Sequence, residues 1–209
     1  NAPVYTVSTN DDAGIVIGGA FDEINGSPSL SLARLNKDGS VDNSFQFDQE
    51  EDYGDWTAYS SYISDDGSIY VGGEFSSEAD DVSRPFIKLT SAGTVSSDYI
   101  PHTLPSETAV YAIAERLSGR ALITGKFPET HERKTENIAR IDSITGSLDP
   151  SFNIGNGAND KVNIVTNSSD GNLIVAGRFS EINGYSRASI ARVSACLLYT
   201  SDAADDKCS

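Results

Sequence analysis

The chain of 209 residues has no methionine, one tryptophan, two histidines and two cysteines. These scarcities exclude several chemistries. His102 and His131 stand far apart, with no Cys or His at ligand spacing, which argues against a zinc site. Cys196 and Cys208 both fall after residue 195, so the rest of the chain has no disulfide or thiol chemistry. No apolar run approaches the ~18 residues of a membrane-spanning helix, so membrane insertion is not expected. Basic residues are few: 15 Lys and Arg against 31 Asp and Glu, a net charge of −16. Binding nucleic acid or anionic lipid relies on Lys and Arg neutralising phosphates, so neither is expected as a partner. Such a surface favours cations and basic partners and aids solubility. The G-x-S-x-G elbow of many hydrolases is absent. "IGGAF" and "VGGEF" lack both the G-x-G-x-x-G pattern and the following helix of a nucleotide loop.

What the chain does contain, it repeats. "IVIGGAFDEING" at 15–26 returns as "LIVAGRFSEING" at 173–184, with echoes at "IYVGGEF" (69–75) and "ALITGKF" (121–127). The phenylalanines closing these phrases, Phe21, Phe75, Phe127 and Phe179, are separated by 54, 52 and 52 residues, as are Gly19, Gly73, Gly125 and Gly177. A basic–aliphatic pair keeps the register at Arg34, Lys88, Arg140 and Arg192, and "GSVDNSF" (39–45) returns as "GTVSSDY" and "GSLDPSF". Several anchors holding one register across four copies mark a repeat architecture.

One period reads as four short strands. "PVYTVST" and "AVYAIAE" are apolar, β-branched and aromatic. Turns such as "SDDG" and "SSDG" carry the Asp and Gly that hairpins need for positive φ. "IVIGGAF", "SLSLARL" and "SVDNSF" supply the remaining strands, and no convincing helical stretch occurs. The expected fold is therefore all-β: a β-propeller of four-stranded antiparallel blades, roughly 4–57, 58–109, 110–161 and an incomplete 162–195. An open arc is expected over a closed four-bladed ring, because the fourth copy stops before its outer strand. A β-sandwich is the rival. The Gly-x-Phe glycine is expected to admit a neighbouring blade closely, and each Phe to fill the space between blades. Lys88 and Ser96 depart together in copy two, where other copies have Arg34 with Asp42 and Arg140 with Asp149. This joint change predicts an Arg–Asp contact inside each blade.

On these phrases, above all "DGNLIVAGRFSEING … ARV" and "GSLDPSF", residues 4–195 resemble the delta-60 repeat, a bacterial β-propeller repeat of unassigned function. The resemblance implies a bacterial extracellular or cell-surface setting and brings no catalytic residues or cofactor with it. "CLLYTSDAADDKCS" (196–209) breaks the repeat and resembles translated sequencing adapter, a non-native tail. The chain is accordingly expected to be a piece of a longer product with further blades or domains.

In a four-stranded meander the loops after the second and fourth strands emerge on one face. Those loops carry sixteen acids against five bases, and loops on rigid scaffolds commonly hold function. Asp48, Glu50, Glu51, Asp52, Tyr53, Trp56 and Tyr185 are the candidate ligand-binding residues, because rings offer adhesive area and carboxylates attract cations or basic partners. The stretch 47–56 could hold Ca²⁺ through carboxylate oxygens but lacks the spacing of a calcium loop. Two functions follow: a non-enzymatic binding or scaffold propeller for a protein or glycan, or the propeller of a glycan-acting hydrolase or lyase. An enzyme would require paired carboxylates about 5–9 Å apart near the channel mouth.

Overall fold

The computed structural model describes residues 2–10, 14–47, 56–75, 82–83, 85–99, 104–105, 108–116, 120–127, 136–149, 152 and 155–193. Four three-stranded antiparallel sheets follow one another along the chain. Unit one contains Val4–Asn10, Gly14–Gly19 and Leu32–Leu35; unit two contains Trp56–Ile63, Ile69–Phe75 and Phe86–Leu89. Unit three contains Ala109–Arg116, Arg120–Lys126 and Ile138–Asp142; unit four contains Val162–Asn167, Leu173–Gly177 and Ile190–Val193. In each, the middle strand lies between the first and the third.

In units two and four the first hairpin closes on the expected turn chemistry, with Gly67 and Gly171 both at positive φ. In unit two Gly67 sits at φ +81°, a conformation that costs glycine little. The Asp66 carboxylate accepts the Ser68 N–H at 2.9 Å, and the Ser64 carbonyl accepts the Gly67 N–H at 2.9 Å.

The expected fourth strand is reduced to a single bridge residue in units one to three: Leu35 with Val41, Leu89 with Val95, and Ile141 with Leu148. The cause is local in unit one. After Val41 the Asp42 carboxylate accepts both the Ser44 N–H (2.9 Å) and its hydroxyl (2.7 Å), while the Asp42 carbonyl accepts the Phe45 N–H. A side chain that bonds its own backbone two residues on forms a turn in competition with the ladder.

Successive units pack first strand against first strand. The Thr6 hydroxyl accepts the Ser61 N–H at 3.0 Å, and the Ser8 hydroxyl donates to the Ser61 carbonyl at 2.8 Å. A Cβ at Gly18 would lie 2.9 Å from that of Ala58, and one at Gly72 would enter Val110. These two glycines therefore admit the next unit. The Gly-x-Phe glycines Gly19, Gly125 and Gly177 do something else: a Cβ there would strike the carbonyls of Pro3, Ala109 and Lys161, at or just before the start of the first strand of the same unit. The expectation of a neighbouring blade at that position is corrected, because the close approach is intra-unit.

One apolar cluster runs from Val16 and Leu32 of unit one through Val71 and Phe86 to Ile123 and Phe127 of unit three. A second joins Leu122 and Ile138 of unit three to Val162, Val175 and Phe179 of unit four. Phe21, also buried, belongs to a small cluster with Ile17 and Ala33 of its own unit, on the face turned away from unit two. It does not fill a space between blades. The Phe75 side chain lies outside the described residues.

Arg34 Nε meets Asp42 Oδ2 at 2.7 Å, and Arg140 Nε meets Asp149 Oδ2 at 2.9 Å. The guanidinium of Arg140 also stands over the Phe152 ring, 4.9 Å from its centroid. In unit two, buried Lys88 places its ammonium 5.8 Å from the Tyr70 ring centroid, a cation–π contact where the other units have an ion pair.

Candidate functional site: a tyrosine row at the long-loop edge

Every first strand is bulged near its start. The register slips between Val4 and Thr6, Ala58 and Ser60, Val110 and Ala112, and Val162 and Ile164. A bulge leaves one residue unpaired and re-aims its side chain. Here that residue is Tyr5, Tyr59, Tyr111 and, in unit four, Asn163. The tyrosine rings form a continuous row, with centroids 5.4 Å apart between Tyr5 and Tyr59 and 5.2 Å apart between Tyr59 and Tyr111. Lys161 continues it, its ammonium 5.6 Å from the Tyr111 centroid. Tyr5 is exposed, Tyr59 and Tyr111 are half-buried, and Asn163 is exposed.

Beside each bulge stands the residue between the anchor Gly and Phe: Ala20, Glu74, Lys126 and Arg178, all exposed. The bulge holds this residue in place, since Ala20 donates its N–H to the Pro3 carbonyl at 3.0 Å and Arg178 to that of Lys161 at 2.9 Å. The row is thus polar at its margin and changes sign along its length, from Glu74 to Lys126, Lys161 and Arg178. The Tyr59 hydroxyl donates to Glu74 Oε2 at 3.3 Å. Burial, followed by the Glu74 charge, pushes the Tyr59 phenol up to about 12. Burial and then Glu74 also raise Tyr111, with Lys126 opposing. Both phenols are neutral donors at neutral pH.

On the same edge a crevice of about 300 Å³ opens between units three and four, bordered by Glu136, Asn156, Asn159, Glu181 and Asn183. Its amides are engaged in shaping the loops. Asn159 Oδ1 accepts the N–H groups of Ser180 and Glu181, each at 3.0 Å, and Asn183 Oδ1 accepts that of Asn156 at 3.2 Å. Among the described residues no group of three His, Cys, Asp or Glu is placed to hold a metal.

Of the residues singled out from sequence, Asp48, Glu50, Glu51, Asp52 and Tyr53 lie outside the described residues, as does the tail 196–209. Trp56 is corrected: it is buried, its ring packs 4.7 Å from that of Phe47, and its carbonyl accepts the Ser31 hydroxyl at 2.6 Å. Its indole belongs to the core and offers no face to a ligand. Tyr185 is exposed on the two-residue hairpin that pairs Ile182 with Tyr185. The tyrosine row escaped sequence reading although its signal was present. Tyr5, Tyr59, Tyr111 and Asn163 keep the same steps of 54, 52 and 52 as the anchors, but an aromatic in a strand reads as core until the bulge is seen.

Three stretches, 14–45, 65–95 and 168–195, match the family described as "Domain of unknown function (DUF5122) beta-propeller". The sheets also superpose on solved structures. A protein of unknown function from Bacteroides caccae matches with a TM-score of 0.53 at 15% identity, over 93% of this chain and 62% of that one. The fold is a β-propeller. The extracellular domain of a hybrid two-component system protein from B. thetaiotaomicron matches with a TM-score of 0.52 at 13% identity, over 84% of this chain and 22% of that one. The chain therefore spans less than two thirds of either of these structures. No curated protein matches it. Likeness at such identities shows the propeller fold alone. Within that fold, the tyrosine row and the crevice lie on the edge where the loops following the middle strands emerge.

Proposed function

We propose that the chain is a non-enzymatic binding or scaffold propeller of a bacterial surface or secreted protein, built of delta-60-type repeats and engaging a glycan at the long-loop edge. The tyrosine row carries this reading. Three rings brought into line by three bulges, with neutral hydroxyls and charged neighbours alongside, offer apolar faces and hydrogen-bond donors together, as a sugar chain requires. The extracellular setting is supported by the repeat phrases and by the B. thetaiotaomicron structure, itself an extracellular domain. The acidic stretch 48–52 would favour a cationic or basic group on the ligand.

Affinity electrophoresis through gels containing individual bacterial and plant polysaccharides tests the proposal. At least one polysaccharide should retard the protein. Tyr59→Ala and Tyr111→Ala should each abolish most of that retardation while the circular dichroism spectrum is kept. Replacing Asp65 and Asp66, on the opposite edge, by Asn should leave it unchanged. Absence of retardation by every polysaccharide, or retardation indifferent to both tyrosines, refutes it.

A further inference from the structure

The tyrosine row is regular in shape but not in charge. Each unit sets one side chain beside its bulge residue: Ala20 beside Tyr5, Glu74 beside Tyr59, Lys126 beside Tyr111 and Arg178 beside Asn163. Units two and three therefore present opposite chemistry. In unit two the Tyr59 hydroxyl is taken by Glu74, which accepts it at 3.3 Å. In unit three Lys126 stands where Glu74 does, and no described residue accepts the Tyr111 hydroxyl. A second ammonium, that of Lys161, lies over the Tyr111 ring from the side of unit four, 5.6 Å from its centroid. The ring quadrupole holds a cation in that position. The Lys161 carbonyl accepts the Arg178 N–H at 2.9 Å, which fixes both bases to one bulge. Arg34, Arg120, Arg140 and Arg192 are each matched to an aspartate. Among the described residues, Lys161 and exposed Arg178 have no such partner.

We propose that the ligand of the row is an acidic glycan whose uronate carboxylate is taken by Lys161 and Arg178 while its sugar rings lie on Tyr59 and Tyr111. The proposal names the sugar class for the glycan reading above and rests on it. A uronic acid suits the row because its carboxylate is carried by the sugar ring itself, within reach of bases that flank the tyrosine beneath. Carboxylates bind guanidinium and ammonium groups by charge-assisted hydrogen bonds. Glu74 turns a carboxylate away from the unit-two end, so the change of sign also sets the direction in which the glycan lies. The net charge of −16 repels a densely charged polyanion. The fit is therefore to a glycan whose carboxylates are set singly along it. Tyr111 and Lys161 lie between units two and four, so this part of the row is complete within the chain.

Biolayer interferometry on immobilised xanthan, gellan and glucuronoxylan, each beside its carboxyl-reduced form, is the test. Reduction turns the carboxylate into a primary alcohol and keeps the sugar ring, so the ratio of the two affinities reads the carboxylate alone. At least one of the three should bind about tenfold more tightly than its reduced form, the size of one charge-assisted contact. Raising the salt should shrink that ratio. Lys161→Gln and Arg178→Gln should each lower it, and the double variant should bring it close to one, all with unchanged circular dichroism. Lys37→Gln, in a turn at the opposite edge, should keep the ratio of the unmodified chain. A ratio near one for the unmodified chain, a ratio that survives the double variant, or binding confined to neutral polysaccharides overturns the proposal and leaves the glycan reading standing. Absence of binding to every polysaccharide, acidic or neutral, overturns both.

Discussion

Replacing Asp149 should be the costliest polar substitution among the described residues of this propeller. Its carboxylate is 9% exposed and takes Arg140 Nε at 2.9 Å and Arg120 Nε at 3.3 Å. Arg140 is itself 10% exposed and fixed over Phe152. Asp149→Ala would leave the Arg140 charge in a dry setting without its main counter-charge, a situation that costs about 3–5 kcal/mol. For a chain of this size that corresponds to a melting temperature lower by roughly 10 °C. Asp42 is the internal control. It serves Arg34 with the same geometry, but the pair is more exposed and Asp42 is engaged mainly with Ser44, so Asp42→Ala should cost about 1–2 kcal/mol. Urea denaturation followed by circular dichroism gives both values. In a double-mutant cycle, Arg140→Met added to Asp149→Ala should recover stability, because the stranded charge is then gone. High salt should shrink the Asp42 cost more than the Asp149 cost, since buried pairs are less screened. Equal costs at the two positions, or a cost below about 1 kcal/mol at Asp149, would refute the assignment of a buried pair.

Phe127→Ala and Phe179→Ala should each cost about 3–5 kcal/mol in urea denaturation, because both rings are buried between units, while Phe21→Ala should cost less, its cluster being confined to unit one. Asp42, Asp66 and Asp142 are held below their ordinary value of 3.8, chiefly by hydrogen bonds from Ser44, Ser64 and the Thr145 backbone respectively. A depressed carboxyl stabilises the fold above the unfolded value and loses that contribution as pH falls, so the melting temperature should be level above about pH 5 and drop steadily below 3.8. Spectrophotometric titration should show a tyrosinate forming near 12 that Tyr59→Phe removes, and Glu74→Gln should bring it down only in part, because burial is the larger cause.

The repeat, the all-β class and the unit length were legible in the sequence because each is a local property. Apolar, β-branched strands separated by Asp- and Gly-bearing turns specify hairpins wherever they stand, and Arg140 and Asp149 were recognisable as partners because both changed in copy two. The fate of each residue beyond its own strand was decided by tertiary structure. Trp56 and Tyr59 both stand in one eight-residue strand of unit two. Alternation alone turns them to opposite faces; the bulge leaves Tyr59 unpaired, and the packing of successive units sets its ring between those of Tyr5 and Tyr111. In units one, three and four the Gly-x-Phe glycine answers to the backbone beside it, where a carbonyl at the start of the first strand stands in the place of a side chain. The third distinction is between equal residues. Val4 and Val110 occupy the same place in the repeat, yet one is exposed and the other buried. Local sequence gives them the same strand and the same face; only the presence or absence of a packed neighbour separates them.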